Sequence, residues 1–204
     1  MKAGLQPGLQ SGLGTGEIDV GQGDLGESKS MRPLPQPLHE LLSVEVMLLH
    51  APILGIRRVD WPDEAACAAW ATALAAHPAL RNAYIELQGP LGAGKTTFVR
   101  HLLRALGVQG RIKSPTYAVV EPYALPGLAI SHFDFYRFED PHEWEDAGLR
   151  DLFAAPGLKL AEWPERAARM LPVADLVLHI EPQDGDARVV QAQALTATGL
   201  ELLA

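Results

Sequence analysis

Tyr84-Ile85-Glu86-Leu87-Gln88-Gly89-Pro90-Leu91-Gly92-Ala93-Gly94-Lys95-Thr96-Thr97 decides the fold of this chain. Tyr84 to Leu87 reads as a strand. From Gly89 to Thr96 every fixed position of the pattern G-x-x-x-x-G-K-[ST] is satisfied. Beyond it Phe98, Val99, Leu102, Leu103 and Leu106 recur at helical spacing until Gly107 ends the run. A strand, a glycine-rich turn and an amphipathic helix in that order form an anion trap. The glycines let the backbone curl until successive N–H groups point inward, and the helix dipole adds positive potential at the same spot. Gly89, Leu91, Gly92, Ala93 and Gly94 are therefore expected to wrap the phosphates of a nucleotide. Lys95 is expected to bridge the β- and γ-phosphates, the Thr96 hydroxyl to ligate Mg²⁺, and Thr97 to bond a phosphate farther back. A glycine-rich turn that binds nothing is the plain alternative, and spacing and context together argue against it.

On the N-terminal side, Ile56 to Val59 predicts a short strand. Asp60-Trp61-Pro62-Asp63-Glu64 then starts a helix that runs to about Ala76, with proline and acids in its first turn. On the C-terminal side, strands are expected over Tyr117 to Val120, Leu128 to Phe133, Leu158 to Ala161, Leu176 to Ile180, Arg188 to Leu195 and Leu200 to Leu203. Short helices are expected over Pro141 to Ala147 and Pro164 to Met170. The alternation of strand and helix, followed by a strand meander, predicts an α/β fold. It is a mixed sheet of the P-loop NTPase kind, parallel in its centre, with antiparallel strands at the C-terminal side and flanking helices.

The composition of the 204 residues fits this reading. With 48% hydrophobic residues the chain can bury a core, and a single cysteine excludes a disulfide-stapled scaffold and points to a reducing compartment, the cytoplasm. A net charge of −8 argues against a DNA coat or a polybasic membrane anchor. No apolar run is long enough to span a bilayer. Residues 1–30 carry glycine at 4, 8, 12, 14, 16, 21, 23 and 26, and Pro33, Pro35 and Pro37 follow. Residues 1–50 are thus expected to be a disordered extension, or upstream sequence if translation starts at Met31 or Met47. Residues 51–204 are expected to form a single domain.

A phosphate loop that hydrolyses its nucleotide needs an acid for the metal and a group to orient the attacking water. Two carboxylates stand at expected strand ends on the phosphate side: Asp134 closes Ala129 to Asp134, and Glu162 closes Leu158 to Glu162. Either can be the metal acid, and the pattern alone does not choose between them. Ser114-Pro115-Thr116 lies where a loop can bring a hydroxyl to the γ-phosphate and Mg²⁺ in a switch-like manner, or it is an ordinary proline turn. The Asn-Lys-x-Asp segment of guanine selectivity is absent, since Asn82 is the only asparagine and precedes the loop. Adenine is the expected base. Cys67, among alanines on a helix, reads as an inert core thiol. His101 reads as a surface residue and Arg137 as a solvated or ion-paired arginine, while Trp163 suits a core or a ligand-side lid equally.

Several of these runs together resemble one family. Gly89 to Phe98, Lys113-Ser114-Pro115-Thr116-Tyr117, Val120-Glu121-Pro122-Tyr123, His132-Phe133-Asp134-Phe135-Tyr136-Arg137 and Glu162-Trp163-Pro164-Glu165 are similar, in this order, to the blocks of the TsaE (YjeE) family. The resemblance covers about Pro62 to the C-terminus. It implies a small ATPase, with ATP and Mg²⁺ as cofactors, of the bacterial pathway that places N6-threonylcarbamoyl on adenosine 37 of tRNA. The transfer itself belongs in that family to TsaD acting with TsaB. The TsaB–TsaD pair is therefore the implied partner, with tRNA met only indirectly and no membrane or DNA involved.

By the same resemblance Glu162 matches the Mg²⁺-binding acid along with Thr96, and Asp134, with Lys95, the residues needed for hydrolysis. Tyr136 falls near the nucleotide, and Glu64 and the Gly185 turn approach the adenosine end. Three features depart from the family pattern: Pro90 where Asp or Asn is common, Cys67 where Thr is frequent, and the glycine-rich extension. The competing readings are a nucleotide-gated binding module with negligible hydrolysis and a small-molecule kinase. The kinase lacks support in residues 138–151, which are mainly acidic around Arg150.

Overall fold

The computed structural model describes residues 51–139, 144 and 148–204, so the glycine-rich extension of residues 1–50 lies outside the described residues. Strands β1 (Gly55–Trp61), β2 (Tyr84–Gln88), β3 (Val120–Leu125), β4 (Leu128–Asp134), β5 (Leu158–Glu162), β6 (Leu176–Pro182) and β7 (Arg188–Ala194) form a sheet in the order β1-β7-β6-β2-β5-β4-β3. Helices α1 (Glu64–Ala75), α2 (Lys95–Ala105), α3 (Leu149–Ala154) and α4 (Ala197–Leu203) complete the described chain with two short 3₁₀ turns. The pairs β6–β2, β2–β5 and β5–β4 are parallel. The C-terminal side carries the antiparallel pairs β6–β7 and β7–β1, as the meander predicts. A further antiparallel pair, β3–β4, closes the opposite edge.

Side-chain alternation along the central strands feeds two apolar layers. Ile85, Leu87, Leu158, Leu160, Leu176 and Leu178 pack with Leu74 of α1 and with Phe98 and Leu102 of α2. Tyr84, Ala161 and Val177 face the other way, toward Phe133, Phe135, Trp144 and Leu149. Helix α1 starts at Asp63, whose side chain accepts from Ala66 N at 2.8 Å, so the Asp-Glu start signal works as a cap. Trp61 stacks on Phe98 of α2 with ring centroids 5.7 Å apart, which ties the end of β1 to the helix behind the glycine-rich turn.

Three expected elements differ from what the chain adopts. Residues 116–118 form a turn rather than the start of a strand, and β3 begins only at Val120. The aromatic and β-branched character of this run is overridden by a tight bend. Val119 sits in the left-handed region at φ 64°, its N–H donates to Pro115 O at 2.7 Å, and its carbonyl accepts from Asp134 N at 2.9 Å. The C-terminal Leu200 to Leu203 is part of α4, not a strand, because Thr196 caps a helix there by accepting from Gly199 N. Only Pro164–Arg166 of the expected Pro164 to Met170 helix is helical, as one 3₁₀ turn followed by looser turns. The helix expected over Pro141 to Ala147 lies outside the described residues except for Trp144, which is helical and buried.

Candidate functional site

The glycine-rich turn leaves β2 at the centre of the sheet. Gly89 is required there: its φ is 139°, and a Cβ would stand 2.4 Å from the Ile180 carbonyl oxygen of β6. Gly94, at φ 104°, precedes the first turn of α2 with no side chain in the way of its N-terminal N–H groups. Between these two glycines the chain turns back over the C-terminal ends of the parallel strands. The acids arrive by register. Leu87 of β2 pairs with Glu162 of β5, which in turn pairs with Asp134 of β4, so both carboxylates end their strands on the side of the turn.

Each polar side chain here has a partner close by. The Lys95 ammonium donates to Gly89 O at 2.6 Å and to Pro90 O at 2.9 Å. It also lies 3.8 Å from the ring centroid of Trp163, a cation–π contact. Trp163 is held there by a left-handed backbone at φ 57°, directly after Glu162. Burial pushes the Lys95 ammonium below its ordinary pKa, and the charges of Glu162, Glu165 and Asp134 work against that shift. Thr96 Oγ1 lies 2.9 and 2.8 Å from the two oxygens of Glu162. Asp134 Oδ2 accepts from the hydroxyls of Ser114 and Thr116, the latter at 2.7 Å, and its Oδ1 accepts from Tyr136 N at 2.9 Å.

A cavity of about 340 Å³ joins these groups. It is bounded by residues 91–97 of the turn and helix on one side and by Ser114, Thr116, Asp134, Tyr136, Glu162 and Trp163 on the other. A second recess, of about 170 Å³, shares Ala93, Gly94 and Thr97 with it and runs on between Asp63, Glu64, Cys67, Asp186 and Arg188. The two meet over the same loop. The oxygen donors of Thr96 and Glu162 suit a hard cation. Among the described residues no group of three or more His, Cys, Asp or Glu side chains forms a protein-only metal cage. Mg²⁺ needs none, because it is commonly held by one or two protein oxygens together with phosphates and water.

The expected site residues therefore converge, with two exceptions. Gly185 occupies its turn at φ 63°, but its neighbour Asp186 rather than Gly185 lines the recess. Gly89 closes the turn behind the cavity rather than lining it. Leu91 lines the cavity although it is 76% exposed. His101, expected at the surface, is part-buried and bonds the Glu64 carboxylate at 2.9 Å. Arg137 is exposed, as expected, and its guanidinium also lies 4.4 Å from the ring centroid of the exposed Tyr117 and donates to the phenol oxygen at 3.2 Å. Trp163 does both: it lines the cavity and packs, partly buried, against the second apolar layer.

Two residues given no role by the sequence also enter. Arg188, on β7, donates from Nε to Ala93 O at 2.9 Å and so grips the loop from a strand 95 residues away. A carbonyl held outward turns the following N–H, that of Gly94, toward the opposite side of the peptide plane. His132, on β4, places Nε2 2.9 Å from Glu162 Oε1.

Cys67 lines the recess, and burial, reinforced by the charge of Glu64, pushes its thiol up to about 12, with Arg188 pulling slightly the other way. A thiol held protonated is a poor nucleophile. Ellman's reagent at pH 8 is expected to leave the native protein unmodified and to react with its single thiol only after denaturant is added. Rapid reaction of the native protein would show an open recess instead.

The family model described as "Threonylcarbamoyl adenosine biosynthesis protein TsaE" matches residues 61–190. The chain belongs to the TsaE family. That membership gives it a role in threonylcarbamoyladenosine biosynthesis. The tRNA threonylcarbamoyladenosine biosynthesis protein TsaE of Haemophilus influenzae is 44% identical over 119 residues, which are 58% of this chain and 75% of that protein. Its namesake from Bacillus subtilis is 35% identical over 144 residues, 69% of this chain and 88% of that protein. The crystal structure of Bacillus subtilis YdiB superposes with a TM-score of 0.59 at 25% identity, covering 73% of this chain and 93% of that one. The family match begins at Trp61, the residue that closes β1, so the TsaE pattern takes in the whole of the loop, both acids and Arg188. No helix among the described residues is long and apolar enough to cross a membrane.

Proposed function

We propose that this chain is the ATP-binding and ATP-hydrolysing component of the tRNA threonylcarbamoyladenosine machinery, acting in the cytoplasm with TsaB and TsaD and not itself the threonylcarbamoyl transferase. One observation carries the reading: the Thr96–Glu162 pair and Asp134 meet across a single cavity that the glycine-rich loop also lines. In this reading the amides of residues 92–97 bind the phosphates, and Lys95 leaves the carbonyls of Gly89 and Pro90 to bridge the β- and γ-phosphates. Thr96 and Glu162 hold Mg²⁺, which when bound neutralises charge building between those phosphates. Asp134 orients the attacking water and accepts its proton, and the hydroxyls of Ser114 and Thr116 are free to turn from Asp134 to the γ-phosphate. Tyr136 and Trp163 roof the phosphate end. Glu64, Cys67 and the turn at Gly185 border the adenosine. The acidic balance of the chain suits contact with protein partners, and tRNA is then met only through them.

The test is calorimetry followed by turnover. Titration with MgADP is expected to reveal one site per chain, and addition of TsaB and TsaD to ATP-loaded protein is expected to raise phosphate release without phosphorylation of an added acceptor. No heat from MgATP or MgADP, even with both partner proteins supplied, would overturn the reading. Phosphorylation of a small acceptor would replace it with a kinase.

A further inference from the structure

His132 belongs to no role assigned so far, yet its position is costly. It is 0% exposed on β4, between Ile130 and Asp134 on the face that packs against α2, and it pairs in register with Leu160 of β5. Its Nδ1 has no hydrogen-bond partner. Its Nε2 has one, Glu162 Oε1 at 2.9 Å, and Glu162 is itself 2% exposed. A carboxylate accepting a hydrogen bond requires the hydrogen on Nε2, and Nδ1 is left as a buried polar atom without a hydrogen-bond partner. A leucine or phenylalanine would fill the same apolar space without stranding a polar atom. What the imidazole offers in exchange is a donor aimed at one carboxylate, while Thr96 Oγ1 approaches the same carboxylate from α2.

We propose that His132 is a positioning residue for the metal-binding acid: its Nε2–H pins Glu162 Oε1 so that the carboxylate meets the cation beside Thr96 in one fixed orientation. The inference rests on Glu162 and Thr96 being the metal pair. Without the imidazole, the carboxylate rotates about its terminal torsion and loses the preorganised approach. Partners of this kind behind metal ligands change metal affinity by about 10–100-fold. His132 touches neither nucleotide nor cation, so its effect passes entirely through Glu162.

The test uses the full chain loaded with ADP and reads free Mn²⁺ by electron paramagnetic resonance during a Mn²⁺ titration. His132→Phe keeps the ring and removes the donor, and His132→Gln returns an N–H near the Nε2 position. Expected are a loss of Mn²⁺ affinity of about 10–100-fold in His132→Phe, recovery of most of it in His132→Gln, and ADP affinity in EDTA within about twofold of the parent. Unchanged Mn²⁺ affinity in His132→Phe overturns the proposal, as does an equal loss of metal-free ADP affinity, which marks a merely structural role. Should His132→Phe fail to fold, His132→Asn, whose shorter amide stops short of Glu162, is compared with His132→Gln, and equal affinities in the two overturn it. Glu162→Gln separates this inference from the reading beneath it. If Glu162→Gln lowers Mn²⁺ affinity and the His132 variants do not, only the positioning role falls. If Glu162→Gln changes nothing, the metal assignment falls and the inference with it.

Discussion

Asp134→Ala is expected to lower ATP hydrolysis by about 100-fold or more while ADP affinity stays within about threefold of the parent. The asymmetry follows from what Asp134 touches. Its carboxylate meets Ser114, Thr116 and the Tyr136 amide, all on the side of the cavity where the proposed γ-phosphate would lie, and no group of the loop itself. A diphosphate therefore leaves its surroundings nearly unchanged, whereas a water attacking the γ-phosphate has lost its proton acceptor. The substitution also removes the acceptor of the Ser114 and Thr116 hydroxyls, which keep their bond to each other, and of the Tyr136 amide, a cost of about 1 kcal/mol in stability, visible as a lower denaturant midpoint. Asp134→Asn keeps an acceptor for the Tyr136 amide and removes only the basicity, so it should recover the stability and not the turnover. Phosphate release by each variant in the presence of TsaB and TsaD, with calorimetry in parallel, checks the expectation. An Asp134→Ala protein that still supports normal threonylcarbamoylation of tRNA would favour a nucleotide-gated binding module over an ATPase.

How much of this was legible in the sequence depended on distance along the chain. The anion-binding turn was legible because everything that makes it is contiguous: strand formers, glycines at fixed intervals, a lysine, a hydroxyl, then a 3.6-residue apolar repeat. Asp134 and Glu162 were legible as strand ends. That they stand side by side was not, because it is set by the β4–β5 register, which brings together residues separated by a stretch containing α3. Arg188 gave no local signal, since it acts across the sheet from β7, and His132 stood inside a family block with nothing local to give it a role.

The errors have local causes too. Tyr117 to Val120 has strand composition, but the hydrogen bonds from Val119 to Pro115 and from Asp134 to Val119 favour a bend that delivers Ser114 and Thr116 to Asp134. Leu200 to Leu203 is too short for its periodicity to separate helix from strand. The capping Thr196 was the available signal. Structure departs from local propensity most where it serves the cavity, as at Val119 and Trp163, the two non-glycine residues with positive φ among those described.

Lys95→Ala is expected to weaken MgADP binding by at least about 100-fold. Two charge-assisted hydrogen bonds at about 1.5–3 kcal/mol each amount to about two to four powers of ten in affinity. Arg137 also lines the cavity and Arg188 the adjoining recess, but each is held by other contacts. Arg188 is committed to Ala93 O, and Arg137 lies against Tyr117. The free protein already holds Lys95 as an ammonium donating to two carbonyls, so binding exchanges those carbonyls for phosphate oxygens without drawing a flexible side chain out of water.

The same burial sets the pH dependence. Desolvation holds the Lys95 ammonium below the ordinary lysine value of 10.5 in the free protein. Only the protonated form attracts phosphate, and phosphate in turn favours protonation. MgADP affinity should thus be flat while Lys95 is charged and should fall as pH rises through its lowered pKa, beginning on the acid side of the ordinary lysine range. Over that interval binding takes up a proton, which calorimetry in buffers of different ionisation enthalpy detects. In Lys95→Ala both the alkaline fall and the proton uptake should vanish together with most of the affinity. Retention of affinity within tenfold, or an alkaline fall that persists in the alanine variant, would place the phosphate contact on another group.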